Sequence, residues 1–382
     1  MTGNTTRRAR AIALYLPQFH PIPENDEWWG PGFTEWTNVA KARPLFPGHV
    51  QPKLPAALGF YDLRVPEVRH QQAVLARCAG IESFCYWHYW FAGRRLLERP
   101  FNEVLTSGEP DLGFCLAWAN ESWSGVWHGE PHRVLIEQTY PGDEDHVRHF
   151  EALAPAFFDK RYTKVAGRPV FYIFQPDQLP YQARFIDLWR SLAERAGLPG
   201  LFLIAETPDG DRAIANGFDG FVTISSLWRQ VAVGARCVLA KKVAYRLLGP
   251  LVGRYSYMTA TLNALARDGN PRRFPCIVPG WDNTPRSGRR GIVLTGNSPD
   301  QFADQARTAV QALADRQLEE RLLFVKSWNE WAEGNHMEPD TQWGDGFIRA
   351  LGDVLGSEET EAPATDRAVS RLSAQPSTDI DG

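Results

Sequence analysis

The chain has 382 residues, a formal net charge of -4 and a pI near 6.2, so it has no global attraction for phosphate, and nucleic acid is excluded as an expected partner. Its length exceeds the usual single-domain range, but α/β barrels routinely reach about 250 residues or more around one core. The 14 tryptophans gather in Gly- and Pro-rich stretches rather than in periodic core segments, which suits platforms for sugar rings.

Residues 1–9 read as a flexible N-terminus. Residues 11–16 form a short apolar strand, stopped by Pro17 and followed by Gln18, Phe19 and His20. The stretch 21–55 is rich in Pro, Gly and Trp without helical period, and a structureless loop of that length is usually functional. An amphipathic helix is expected at 66–79, with Pro66 in its first turn and Gly80 at its stop. This strand, loop and helix unit then recurs. A second strand at 81–86 ends in Trp87, His88 and Tyr89, with a helix near 97–106. A third at 112–116 ends in Trp118, Asn120 and Glu121, before a helix at about 143–158. A fourth at 169–174 precedes a helix at 181–196, and a fifth at 201–205 ends in Glu206. The sixth strand is expected at 220–224, and the seventh at 273–278, ending in Trp281 and Asp282 before a helix at 299–317. The eighth lies in the stretch 322–334, with a last helix at 345–355.

Strands that alternate with helices imply a parallel sheet covered by helices, and about eight units imply a (β/α)8 TIM barrel with long βα loops over 10–356. Polar and aromatic residues crowd the strand ends while the strand starts are bland, as expected when the C-terminal face carries the site. A doubly wound sheet is the alternative, but it calls for a Gly-rich phosphate turn after the first strand, and Pro17-Gln18-Phe19-His20 is not one. Residues 357–382 are Glu-, Ser- and Thr-rich without apolar period and read as a disordered tail. The stretch 229–254 carries Arg229, Arg236, Lys241, Lys242, Arg246 and Arg254 with no acidic residue. It reads either as a basic amphipathic helix on anionic lipid or as a solvated helical insertion.

Cys78, Cys85, Cys115, Cys237 and Cys276 are odd in number and lack paired short spacing, so free thiols in a reducing compartment are expected. No run approaches the roughly 20 apolar residues of a membrane span, and residues 1–10 lack a leader's apolar core. The expectation is a cytoplasmic protein, peripheral to the inner face of the membrane if the basic stretch engages lipid.

The stretch 322–334 is an apolar run ending in Lys326-Ser327-Trp328-Asn329-Glu330-Trp331-Ala332-Glu333-Gly334. Strand alternation puts Lys326, Trp328 and Glu330 on one side. Two carboxylates three residues apart suit acid/base work on a sugar, one protonating a leaving oxygen while the other assists attack at the anomeric carbon.

Together with Tyr15-Leu16-Pro17-Gln18-Phe19-His20, Gly32-Phe33-Thr34-Glu35-Trp36, Tyr86-Trp87-His88-Tyr89 and Leu116-Ala117-Trp118-Ala119-Asn120-Glu121-Ser122-Trp123, this stretch makes the chain from about residue 12 to 355 resemble the WbsX-type proteins. Those are named glycosyltransferases, and their domain is similar to the family 99 glycoside hydrolases. The resemblance implies a barrel that needs no metal or other cofactor, acts with retention, and serves O-antigen, capsule or other surface-polysaccharide metabolism. It implies that Glu330 deprotonates a sugar 2-hydroxyl, which attacks the anomeric carbon to give a 1,2-anhydro intermediate, while Glu333 acts as general acid and then base. A mannose specificity does not carry over. Around the pair, the expected substrate-binding residues are Gln18, His20, Trp36, Trp87, His88, Tyr89, Trp118, Asn120, Glu121, Trp281, Asp282, Trp328 and Asn329. The expected partner is a glycan or a lipid-linked oligosaccharide.

Two other readings stay open at this level. A nucleotide-sugar-dependent transferase would hold a metal through an Asp-x-Asp string, which Asp143-Glu144-Asp145 and Asp209-Gly210-Asp211 match, although helix capping explains both more simply. A glycan-binding barrel without catalysis would keep the tryptophans and need neither glutamate. Within the hydrolase reading, Glu121 rivals Glu333 as the partner of Glu330. His20, His88 and His336 lack metal-ligand spacing, so they are expected to bond sugar hydroxyls.

Overall fold

Short apolar runs form nine parallel strand segments in the computed structural model, which describes residues 8–125, 130–224, 252–265 and 270–356. They are β1 (Arg10–Tyr15), β2 (Ile81–Phe91), β3 (Gly113–Trp118), β4 (Arg168–Ile173), β5 (Phe202–Glu206), β6 (Gly220–Val222), β7 (Arg273–Phe274), β8 (Cys276–Ile277) and β9 (Leu322–Val325). The sheet runs β7-β6-β5-β4-β3-β2-β1-β9-β8. Its two outer members, β7 and β8, are one stretch of chain interrupted at Pro275. Proline has no N–H for the ladder, so pairing breaks there. On one side Phe221 N donates to Arg272 O at 3.0 Å, and on the other Phe324 N donates to Pro275 O at 3.0 Å. The same short stretch therefore joins both ends of the sheet, and the result is a nearly closed α/β barrel with eight strand positions.

Ala11, Ile12, Ala13 and Leu14 are all 0% exposed, as expected of a parallel strand covered on both faces. Aromatic rings meet across the interior, with Tyr172 to Phe324 at 5.5 Å between centroids. Helices α1 (Pro66–Cys78), α2 (Asp143–Phe158), α3 (Gln182–Arg195), α4 (Pro299–Ala312) and α5 (Gly346–Leu355) follow the expected strands. Ala9 is fully buried, so packing begins just before β1.

Some elements differ from expectation. The stretch 21–55 is not structureless: it holds helices Pro23–Trp29 and Glu35–Lys41. Proline opens the first, and Thr34 N donates to Thr37 Oγ1 at 3.3 Å at the start of the second. β2 continues to Phe91 because it turns back on Arg94–Leu96 as a hairpin, so Trp87, His88 and Tyr89 are strand residues. The expected tail at 357–382, residues 1–7, Cys237 and all but the last three residues of the basic stretch 229–254 lie outside the described residues. Among the described residues no helix is long and apolar enough to cross a membrane.

Candidate active site

The chain leaves β9 at Val325 and folds into a tight tip. Asn329–Glu330 pairs antiparallel with Asn335–His336, and Trp331–Glu333 forms one 3-10 turn between them. Ser327 braces the tip: its Oγ accepts from Glu330 N at 3.0 Å and donates to Asn335 O at 2.9 Å. Gly334 closes it at φ 57°. A Cβ there would meet Asp282 Cβ at 2.8 Å, so both the left-handed backbone and the close approach require glycine. The carbonyl of Glu333 accepts from Asp282 N at 2.6 Å. Both glutamates are thus held on rigid backbone at the C-terminal end of the barrel, where they face a cavity of about 390 Å³.

Trp87 Nε1 donates to Glu330 Oε1 at 3.2 Å. Arg286, from the short helix Thr284–Ser287, donates through Nη1 to Glu333 Oε1 at 2.7 Å and lies 3.8 Å from Glu330 Oε2. Its Nη2 and Nε both reach Glu35 Oε1, at 2.5 and 2.9 Å. Glu330 and Glu333 are close enough for each to shift the ionisation of the other. Burial pushes the Glu330 carboxyl upward, but the charges of Lys326 and Arg286 outweigh it and leave Glu330 below its ordinary value. Burial and the neighbouring Glu330 charge push Glu333 up to about 8, against the pull of Arg286. Burial and charge therefore favour a proton on Glu333 over one on Glu330. Lys326 is kept charged by Glu330 and Glu206 in spite of its burial.

Of the residues expected to contact substrate, Gln18, Trp87, Tyr89, Glu121 and Trp281 line this cavity with Glu330 and Glu333. The others are near it but serve the scaffold. His88 and Trp118 point outward from their strands and pack under α2, where His88 Nε2 meets His149 Nε2 at 2.9 Å and Trp118 sits edge-on to the same ring. His20 is buried against Pro17 O at 3.1 Å. Trp36 Nε1 donates to Tyr61 O, and its ring packs on Trp331 at 5.4 Å. Asn120 ties two strand ends together, its Nδ2 donating to Gln175 O and its Oδ1 accepting from Gln175 N, each at 2.8 Å. Asn329 does the same for β1, bonding Leu16 N at 2.8 Å and Leu16 O at 3.0 Å. Trp328 is 0% exposed; alternation with Lys326 and Glu330 fails because the strand ends at Val325.

Asp282 is a hub rather than a wall. Its Oδ2 accepts from His49 Nε2 and Gln51 Nε2, each at 2.7 Å, and its Oδ1 accepts from Thr284 Oγ1 at 2.5 Å. His49 Nδ1 accepts from Leu45 N at 3.0 Å, which places the ring proton on Nε2. His336 is likewise buried, against Asp340 at 3.1 Å.

The cavity also contains charged residues not assigned to it from the sequence: Glu35, Glu206, Arg286 and Lys326. Glu35 lies within the Gly32 to Trp36 motif and Glu206 ends an apolar strand, so both carried a signal. Arg286 carried none. Both Asp-x-Asp strings are engaged within the protein: Asp209 accepts from Arg212 N at 3.2 Å and caps a helix start, while Asp143 caps nothing and pairs with Arg184 of α3 at 2.6 Å. Among the described residues no group of three or more His, Cys, Asp or Glu is set to hold a metal ion.

The family model described as Glycosyltransferase WbsX matches residues 11–351. Two curated relatives from strains of Xanthomonas campestris pv. campestris, each described as "Uncharacterized protein WxcX", are 39% identical over 370 residues, which is 94% of this chain and 50% of theirs. The chain thus spans about half the length of the curated relatives it matches. Among solved structures, a GH99 endo-alpha-mannosidase from Bacteroides thetaiotaomicron is similar with a TM-score of 0.55 and 14% identity, covering 96% of this chain and 99% of that one. A "Glycoside hydrolase-like protein" is similar with a TM-score of 0.53 and 13% identity, covering 92% and 95%. At these identities the likeness is one of fold.

Proposed function

The chain belongs to the Glycosyltransferase WbsX family and is a carbohydrate-active enzyme, and on that premise we propose that it cleaves or transfers glycosidic bonds with retention through Glu330 and Glu333, without a metal. The observation that carries this reading is the pair of buried carboxyls facing one cavity, Glu330 accepting from Trp87 Nε1 at 3.2 Å and Glu333 from Arg286 Nη1 at 2.7 Å. Lys326 and Arg286 hold Glu330 low, while burial and the Glu330 charge push Glu333 up. Glu330, ionised, takes the proton of a sugar 2-hydroxyl as that oxygen attacks the anomeric carbon. Glu333, protonated, gives its proton to the departing glycosidic oxygen. In the second half, Glu333 removes a proton from the incoming water or acceptor hydroxyl, which opens the 1,2-anhydro ring, and Glu330 returns its proton to O2. Water as acceptor gives hydrolysis, and a sugar hydroxyl gives transfer. A carboxylate that attacks the anomeric carbon itself stands about 5 to 5.5 Å from its acid partner. Here Glu333 accepts from Arg286 Nη1 at 2.7 Å, and the same guanidinium nitrogen lies 3.8 Å from Glu330 Oε2, so both carboxyls crowd one cation, which favours the route through the 2-hydroxyl.

The substrate proposed is a surface polysaccharide or its lipid-linked precursor. Incubation of the protein with such glycans from its source, with chelator and without nucleotide sugar, should give shortened or rearranged product. Glu330→Gln should abolish this on all substrates, and Glu333→Gln should lose about 100- to 10,000-fold on poor leaving groups. Strict dependence on a nucleotide sugar and a divalent metal, with both variants active, would replace this reading by donor-dependent transfer.

A further inference from the structure

We propose that Lys326, Glu121 and Glu206 form a subsite for a pair of sugar hydroxyls beside the glutamate pair, so that the enzyme takes neutral glycans and rejects sugars bearing a carboxylate or phosphate. This rests on the glycan reading of the same cavity and names the substrate class. Lys326 lines the cavity, is 7% exposed, and holds its Nζ 5.5 Å from the centre of the Trp87 ring. Among the described residues no hydrogen bond and no ion pair within 4 Å engages that ammonium, which carries three donors. The ammonium opens onto the cavity rather than being sealed in the protein, so its donors face a ligand held there.

The acceptors of the subsite come from two other strand ends. Glu206 is the last residue of β5 and accepts one hydrogen bond, from Tyr172 OH at 2.7 Å. Glu121 follows β3 by three residues and has no hydrogen-bond partner among the described residues, while the charges of Lys326 and Glu330 both act on it. Lys326 in turn responds to Glu330 and Glu206.

Above about pH 7, where Glu206 ionises although burial pushes it up to about 7, only a group that both accepts and donates satisfies this set. A hydroxyl accepts from Lys326 and donates to Glu121 or Glu206. A carboxylate or phosphate could accept from Lys326 but has nothing to donate. It would also bring charge into a cavity lined by five glutamates and two cations, one of which, Arg286, is already engaged by Glu35 and Glu333. An ammonium could donate to the carboxylates but would face Lys326. Two neighbouring hydroxyls, with the apolar face of the ring toward Trp87, fit without an unpaired charge.

The test is binding rather than turnover. A Glu333→Gln chain is applied to an array of neutral, uronate-bearing and phosphorylated glycans, and every hit is titrated by tryptophan fluorescence. Hits should fall among the neutral glycans. Adding Lys326→Met should weaken them about tenfold or more. Adding Glu121→Gln should raise uronate binding relative to neutral binding by a similar factor, a gain that misfolding cannot produce. Uronates or phosphates bound as tightly as neutral glycans, or a ratio unmoved by Glu121→Gln, would overturn the subsite and leave the glycan reading standing. A cooperatively folded chain that binds no glycan on the array would instead sink the glycan reading itself.

Discussion

Replacing Glu333 by glutamine should remove the proposed general acid and, above neutral pH, stabilise the fold. In the native chain Glu333 is 5% exposed, beside ionised Glu330, and its carboxyl is pushed up to about 8. In the unfolded chain it ionises near the ordinary value of about 4.3. Because the folded value is the higher one, the native state holds an extra proton between those two pH values. The stability tied to this side chain is complete below about pH 4 and is lost progressively as pH rises through about 8. At about 1.4 kcal/mol per unit the loss reaches roughly 5 kcal/mol as an upper bound, lowered by any closer approach of Arg286 to the carboxylate. The glutamine variant has no such slope. Urea unfolding of both chains between pH 4 and 9, with linear extrapolation, should give equal stabilities at the acid end and a variant several kcal/mol more stable at pH 8 to 9. Parallel curves across that range would refute the burial and charge argument, and with it the assignment of the proton to Glu333.

Arg286→Met should leave Glu35, Glu330 and Glu333 buried without their shared cation, which at 3.8 Å from Glu330 contributes about 4 kcal/mol at an effective dielectric near 20. The expected loss of stability is about 3–5 kcal/mol. It should grow as pH rises above about 4, since the orphaned carboxyls then ionise in the unfolded chain before they do in the folded one; an equal loss in melting temperature at pH 4 and pH 8 would contradict this. Gly334→Ala sets a Cβ 2.8 Å from Asp282 Cβ on left-handed backbone, so it should destabilise by about 1–3 kcal/mol. It should also lower kcat more than it raises KM, because the shift is passed to Glu333; a wild-type kcat would show that the tip is not held as described.

The barrel and the Glu330 and Glu333 pair at its cavity were legible in the amino-acid sequence because their signals are local. Each strand is an apolar run that ends in polar residues, and each helix carries its own period and stop. The seventh strand, expected unbroken over 273–278, is interrupted at Pro275, and only the fold shows that the break lets one stretch pair with both ends of the sheet. Glu330 and Glu333 were visible because three residues separate them at the end of such a run. The direction of the neighbouring side chains was not visible. Trp87 and Tyr89 line the cavity while His88 between them packs under α2, since successive strand residues face opposite sides and residue type does not say which side is inward. Asn120, Asn329 and Asp282 looked like ligands for a sugar and are instead fasteners between segments far apart in the chain, because a buried amide or carboxylate must find partners wherever packing brings them. Arg286 had no local mark at all: its role comes from meeting Glu35, Glu330 and Glu333 in space. The same holds for the proton that separates the two glutamates. Two identical and equally buried side chains are pushed apart because Lys326 and Arg286 hold Glu330 low and the Glu330 charge then raises Glu333, so residue identity came from the chain and the difference between the two from tertiary contact.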